Sequence, residues 1–199
     1  MNLLFIIMQK NDIYLKQLSR IRSLNNFYHK QFLFDVRYSI AVMLCVYFLA
    51  FSYTYKLFLI VPYIVLLFMT LMAYHAHYLI FARKVSEYYE NIINEIMDEK
   101  ILVVHEIENK YFYPTNKRKL VVAAFGKDFS WFSFVTVFIT GLFLLCYVHS
   151  VFTIYTEELS SIIYFIVLIL FSSSCLVTGV WWFINENGES RIKEVLEES

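Results

Sequence analysis

Four long apolar runs, separated by polar stretches of unequal length, dominate this chain. They span about Val36 to Tyr55, Leu57 to Ala82, Phe129 to Phe152 and Ile162 to Ile184. Each reaches the roughly 20 residues that a helix needs to cross ~30 Å of hydrocarbon. None holds Asp or Glu in its central part. Little more than Ser52 to Lys56 separates the first two runs, and Thr153 to Ser161 joins the last two. The pattern predicts an all-α membrane protein with four transmembrane helices in two hairpins and a small, mainly helical cytoplasmic region. Pro62 falls six residues into the second run and predicts a kink there.

The polar stretches divide the rest into residues 1–35, an amphipathic N-terminal segment, residues 83–127, a helical extension with a basic turn, and an acidic tail, 185–199. The hairpins occupy 36–82 and 128–184. From Asp12 to Phe32, Tyr14, Leu18, Ile21, Leu24, Tyr28 and Phe32 recur at spacings of three and four, opposite Lys16, Arg20 and Lys30. After the second run, Val85, Tyr89, Ile92, Ile96, Val103 and Ile107 form another stripe, with Glu87, Glu90, Glu95, Asp98 and Glu99 on much of the other face. This predicts a rod that continues out of the membrane and ends by Pro114. A break near Lys100 is the alternative, with Ile101 to Val104 as a strand. The short runs Met1 to Met8 and Lys119 to Phe125 read either as strands of a small sheet or as cover for the base of the bundle.

Composition supports the membrane reading. Of 199 residues, 59% are hydrophobic, 20% aromatic and 17% charged, against a usual charged share of about 25%. Mean hydropathy is +0.56. Net charge is zero, so only its distribution informs. Lys10, Lys16, Arg20, Arg22 and Lys30 precede the first run. Arg83, Lys84, Lys100, Lys110, Lys117, Arg118, Lys119 and Lys127 lie between the second and third, whereas the other connections hold only Lys56. Both termini and the central segment are therefore expected in the cytoplasm, with Trp131, Trp181 and Trp182 at the same interface. Arg83, Lys84 and the cluster Lys117, Arg118 and Lys119 read as headgroup contacts that fix topology. Met1 to Met8 lacks the marks of a cleaved leader. Cys45, Cys146 and Cys175 show neither a zinc signature nor a disulfide framework.

Candidate chemistry is sparse. His75 and His77 lie about 12 and 9 Å along the helix axis from Arg83, in the cytoplasmic half of the membrane. Residues two apart point about 200° apart around a helix, so the pair cannot share one ligand. Each reads as an interhelical hydrogen-bonding group or as part of a proton or ion path. No metal site and no cofactor are expected. The same seam question arises for Ser133, Thr136, Thr140 and Gly141 in the third run and for Ser172, Ser173, Cys175 and Gly179 in the fourth. Small residues let helices approach closely; in an oligomer, Thr136, Thr140, Ser172 and Ser173 would line a narrow pore. Catalysis is not expected: His105–Glu106 begins a metalloprotease-like pair, but Asn109 stands where the second histidine belongs.

In architecture, the basic N-terminal helix, the paired spans and the extension from Glu87 to Lys100 resemble small multi-pass membrane components of bacterial anti-phage systems, including the four-span subunit of the Kiwa type. The resemblance carries over no individual residue. It implies a sensor or effector in a bacterial inner membrane, assembled with a cytosolic partner. The expected function is thus an oligomeric membrane sensor or scaffold, in contact with lipid, that engages a cytosolic protein through Glu90, Glu95 and Asp98. No nucleic-acid binding is expected. The alternative is an oligomeric ion-conducting pore that depolarises the membrane.

Overall fold

The computed structural model describes residues 2–111, 131–184 and 187–197. Among these residues, six α-helices follow in the order α1 (Asn2–Ser52), α2 (Val61–Met97), α3 (Val104–Tyr111), α4 (Trp131–Thr156), α5 (Ile162–Gly179) and α6 (Asn187–Glu197). Among the described residues there is no strand. The run Met1 to Met8 is therefore not a sheet element: from Asn2 onward it is the start of α1. The other strand candidate, Lys119 to Phe125, lies outside the described residues, as do Pro114 and the cluster Lys117, Arg118 and Lys119.

Four of these helices are long and apolar enough to cross a membrane. The first two exceed that need. α1 has 51 residues and runs unbroken from the amphipathic segment through the first span, about 75 Å in all. α2 has 37 residues and continues past the second span by about four turns. The two are antiparallel, and their side-chain contacts descend in order: Asn11 with Met97, Arg22 with Glu90, Asp35 with His75.

A tight turn closes this hairpin. Thr54 accepts the Lys56 N–H at 3.3 Å and opens a short 3₁₀ turn, Tyr55–Leu59. Pro62 then falls in the first turn of α2, not inside it. At that position an N–H has no intrahelical acceptor, so proline costs no hydrogen bond and no kink follows. Phe58, fully buried, packs there among Tyr47, Phe51, Tyr55 and His149, and Met43, Ala50, Val61, Val65, Phe143 and Ile154 continue the core.

The rod leaving the second span stops at Met97. Asp98 adopts a left-handed conformation, φ 50°, and its N–H bonds back to Asn94 and Glu95. Asn94 then pins the following chain. Its Oδ1 accepts from Ile101 and Leu102 at 3.0 and 2.8 Å, and its Nδ2 donates to the Leu102 carbonyl at 2.7 Å. The break near Lys100 is real, but Ile101 to Val103 form a side-chain-braced elbow into α3, not a strand.

α4 and α5 both lean on α2 and not closely on each other. Gly141 and Gly179 face open space, so they mark no close helix approach. Of α5, only Leu168 is buried. Tyrosines bridge the wider gaps: Tyr47 donates to the Cys146 carbonyl at 2.9 Å and Tyr164 to the Leu59 carbonyl at 2.8 Å. α5 ends in a single π-helical turn, Val180–Ile184, before α6 folds back on α2.

Candidate functional site: a buried polar seam along α2

His75, Arg83, Ser86 and Glu90 are the buried polar residues of α2. Their spacings of eight, three and four residues keep them within a quarter-turn of one another around the helix. The seam covers about 22 Å of axis, from inside the second span to well beyond it. Other elements supply a partner at each level.

At the membrane level, His75 Nε2 meets Asp35 Oδ2 of α1 at 2.6 Å, and Gln31 Nε2 donates to Asp35 Oδ1 at 3.3 Å. Tyr28 of α1 stacks on Tyr78 of α2 nearby, with ring centroids 4.4 Å apart. On the other side of α2, Trp182 Nε1 donates to His77 Nδ1 at 2.9 Å. The predicted 200° separation thus becomes two different partnerships, one with α1 and one with the π-turn.

One step out, Arg83 is buried. It donates from Nε to Glu108 Oε2 at 3.2 Å and from Nη2 to Asn109 Oδ1 at 2.9 Å, both on α3. The expectation that Arg83 reaches lipid headgroups is thereby corrected. α3 folds back over Arg83 and takes up its guanidinium with a carboxylate and an amide, which leaves the side chain buried. Lys84 is half-buried.

Glu90 is fully buried, with 0% of its surface exposed. Oε1 accepts from Arg22 Nη2 at 2.8 Å and from Ser86 Oγ at 3.4 Å. Oε2 pairs with His105 Nδ1 at 2.9 Å and accepts the His105 backbone N–H at 3.1 Å. Burial pushes the carboxyl pKa up, but hydrogen bonds from Arg22 and His105 outweigh it, and the net shift is down from 4.5. The placement of Glu90 on an outer docking face is therefore corrected. Its charge is spent inside the chain, tying α1, α2 and α3 together. Glu95 and Asp98 are exposed as expected. Glu106 is half-buried and paired with Lys100, which holds its carboxyl below the usual range.

In the other hairpin, a hydroxyl contact joins α4 to α5. Ser172 bonds Tyr147 Oη at 2.8 Å and the Leu168 carbonyl of its own helix at 2.8 Å. Thr136 and Thr140 are half-buried on α4, and Ser173 is exposed on α5.

Residue spacing alone did not reveal Asp35, Arg22, His105, Glu108 or Trp182 as partners. A signal existed for three of the four residues of the seam. Arg83, Ser86 and Glu90 repeat at three and four on the side of the helix that also carries Leu79, Ala82 and Ile93, which puts polar groups on a face that apolar neighbours mark for cover. The partners lie up to 105 residues away, beyond any local pattern. Among the described residues, no three His, Cys, Asp or Glu side chains converge as metal ligands. No protein-family model, curated protein or solved structure matches the chain.

Proposed function

We propose that this chain is an oligomeric integral membrane sensor and scaffold, with both termini cytoplasmic, whose α2–α3 elbow engages a soluble protein. One observation carries the reading: α1 and α2 pass unbroken from the apolar zone into a polar base, and part-buried polar and charged pairs tie them to each other and to α3. Spanning a bilayer requires none of that base. Tilt or sliding of the spans is transmitted to the elbow by the same two helices.

The elbow has the surface of a docking site. Met97, Ile101, Val104 and Ile107 are exposed there, Ile101 by 51% and Ile107 by 53%. Met97 stands about 22 Å beyond Ala82 along α2, too far for the hydrocarbon to cover it. Exposed Glu95, Asp98 and Glu99 surround the apolar residues. A basic, apolar segment of a soluble partner complements this face. The excess of Lys and Arg on this side supports a cytoplasmic placement. The resemblance to anti-phage membrane subunits supplies a setting in which a membrane event is reported to such a partner.

The test is photo-crosslinking from position 101 in native membranes, comparing the parent chain with Glu95→Lys combined with Asp98→Asn. Asparagine keeps the left-handed backbone at 98. A defined soluble adduct that the charge changes abolish, without altering assembly, supports the reading. An adduct unaffected by them removes the elbow as the docking face. The pore reading rests on the exposure of α5, including Ser173; ion flux through liposomes holding the purified assembly, altered by Ser173→Trp, would favour it instead.

A further inference from the structure

We infer that His75 and His77 answer a proton in opposite senses, and that His77 is a pH-sensitive latch holding the C-terminal helix α6 against α2. This stands whether or not a soluble protein docks at the elbow.

Consider the hydrogen each contact needs. His75 Nε2 faces a carboxylate oxygen at 2.6 Å. In the neutral ring that nitrogen carries the hydrogen and donates it. In the charged ring the same N–H remains and now meets an opposite charge. Protonation keeps this contact. At His77 the roles are reversed. An indole nitrogen can only donate, so His77 Nδ1, 2.9 Å from Trp182 Nε1, must accept with its lone pair. A proton added at Nδ1 turns that acceptor into a donor and sets two N–H groups against each other. The contact requires the neutral ring with its hydrogen on Nε2.

The surroundings of His77 push the same way. Arg191 of α6 lies over the Trp182 ring, 5.5 Å from its centroid, and brings a cation to the indole that the latch holds. Tyr78 on α2 has its ring 5.6 Å from His77, and Lys193 and Glu194 stand further along α6 at exposed positions. Around His75 are Asp35, Tyr28 and Tyr74.

The latch governs α6 because the fit there is tight. Gly188 seats against both rings: a Cβ at that position would lie 2.9 Å from Trp182 Nε1 and 3.0 Å from His77 Cε1. Further along, Tyr88 of α2 donates to the Leu196 carbonyl at 3.0 Å. The π-turn brings Trp182 round to α2, and α6 follows it. When His77 takes up a proton, α6 and the π-turn leave α2 while the α1–α2 clamp at Asp35 persists.

Hydrogen exchange on the full chain in nanodiscs, at about pH 8 and about pH 5.5 and corrected for the intrinsic pH dependence of exchange, tests this directly. The expected result is a loss of protection across residues 187–197 of about tenfold or more on acidification, with residues 31–39 of α1 unchanged. In His77→Gln, a side-chain carbonyl accepts the indole hydrogen without titrating, and α6 should stay protected at both pH values. In Trp182→Phe or Gly188→Ala, protection should be low at both. A wild-type α6 whose protection ignores pH overturns the proposal, as does a pH dependence that survives in His77→Gln or Trp182→Phe.

Discussion

The two hairpins are built from similar apolar helices but differ in how they are held. In the first, α1 and α2 pack against each other, and polar and charged side-chain pairs join them from the membrane level to the base. In the second, α4 and α5 stand apart, both against α2. An apolar groove of about 360 Å³ lies between them, lined by Tyr147, Val148, Val151, Phe152, Tyr155 and Phe165. The difference reflects the solvent each faces. Hydrocarbon surrounds an apolar helix as well as another helix does, so α4 and α5 gain little by approaching. A charge in the base has no such indifference. Once buried it needs a specific partner, and that partner fixes the geometry.

This contrast can be broken most severely at Glu90. Glu90→Gln leaves Arg22 and His105 without their carboxylate; hydrogen bonds to a charged group are worth about 1.5–3 kcal/mol, of which the part-exposed Arg22 recovers some in water. The expected result is loss of proteolytic resistance in α3 and in α1 before Gln31, with α4 and α5 intact. Acid should do the same without mutation. Because the folded carboxyl sits below 4.5, its contribution is present above that value and is lost as pH falls through the lower, folded pKa. Limited proteolysis across that window checks it, and a base equally resistant on both sides would contradict the linkage.

A smaller effect is expected at the membrane level. Asp35→Asn keeps a hydrogen-bond acceptor for His75 and should cost about 1 kcal/mol, read as a shift in the detergent unfolding midpoint. The smallest lies in the second hairpin. Ser172→Ala removes the Tyr147 bond, and such interhelical bonds in membranes average about 0.6 kcal/mol. A ranking with Ser172 above Asp35 would erase the distinction between the hairpins.

Much of this architecture was legible in the chain. Run lengths located four spans, and the tight connection from Ser52 to Lys56 made the first hairpin inevitable. The two histidines separated onto opposite faces because helical period alone decides that. What could not be read were choices set by distant partners. Glu90 and Arg83 looked outward because acidic and basic residues at a membrane edge normally face water or headgroups. Only the return of α3, directed by the Asp98 turn and the Asn94 brace, turned them inward. Pro62 was misplaced by a few residues, enough to change a kink into a helix start. The hydroxyl stripes of α4 and α5 suggested close packing, but small residues permit an approach without compelling it.

The central claim is that α1 and α2 form one lever whose outer end is held by Glu90. The contact of Asn11 with Met97, at 3.7 Å, lies at that end. Asn11→Cys with Met97→Cys, in a chain whose native cysteines are replaced, should be joined rapidly by a short thiol crosslinker in native membranes. Adding Glu90→Gln should slow that joining several-fold. Failure of the parent pair to crosslink, or a rate indifferent to Glu90, would contradict the account.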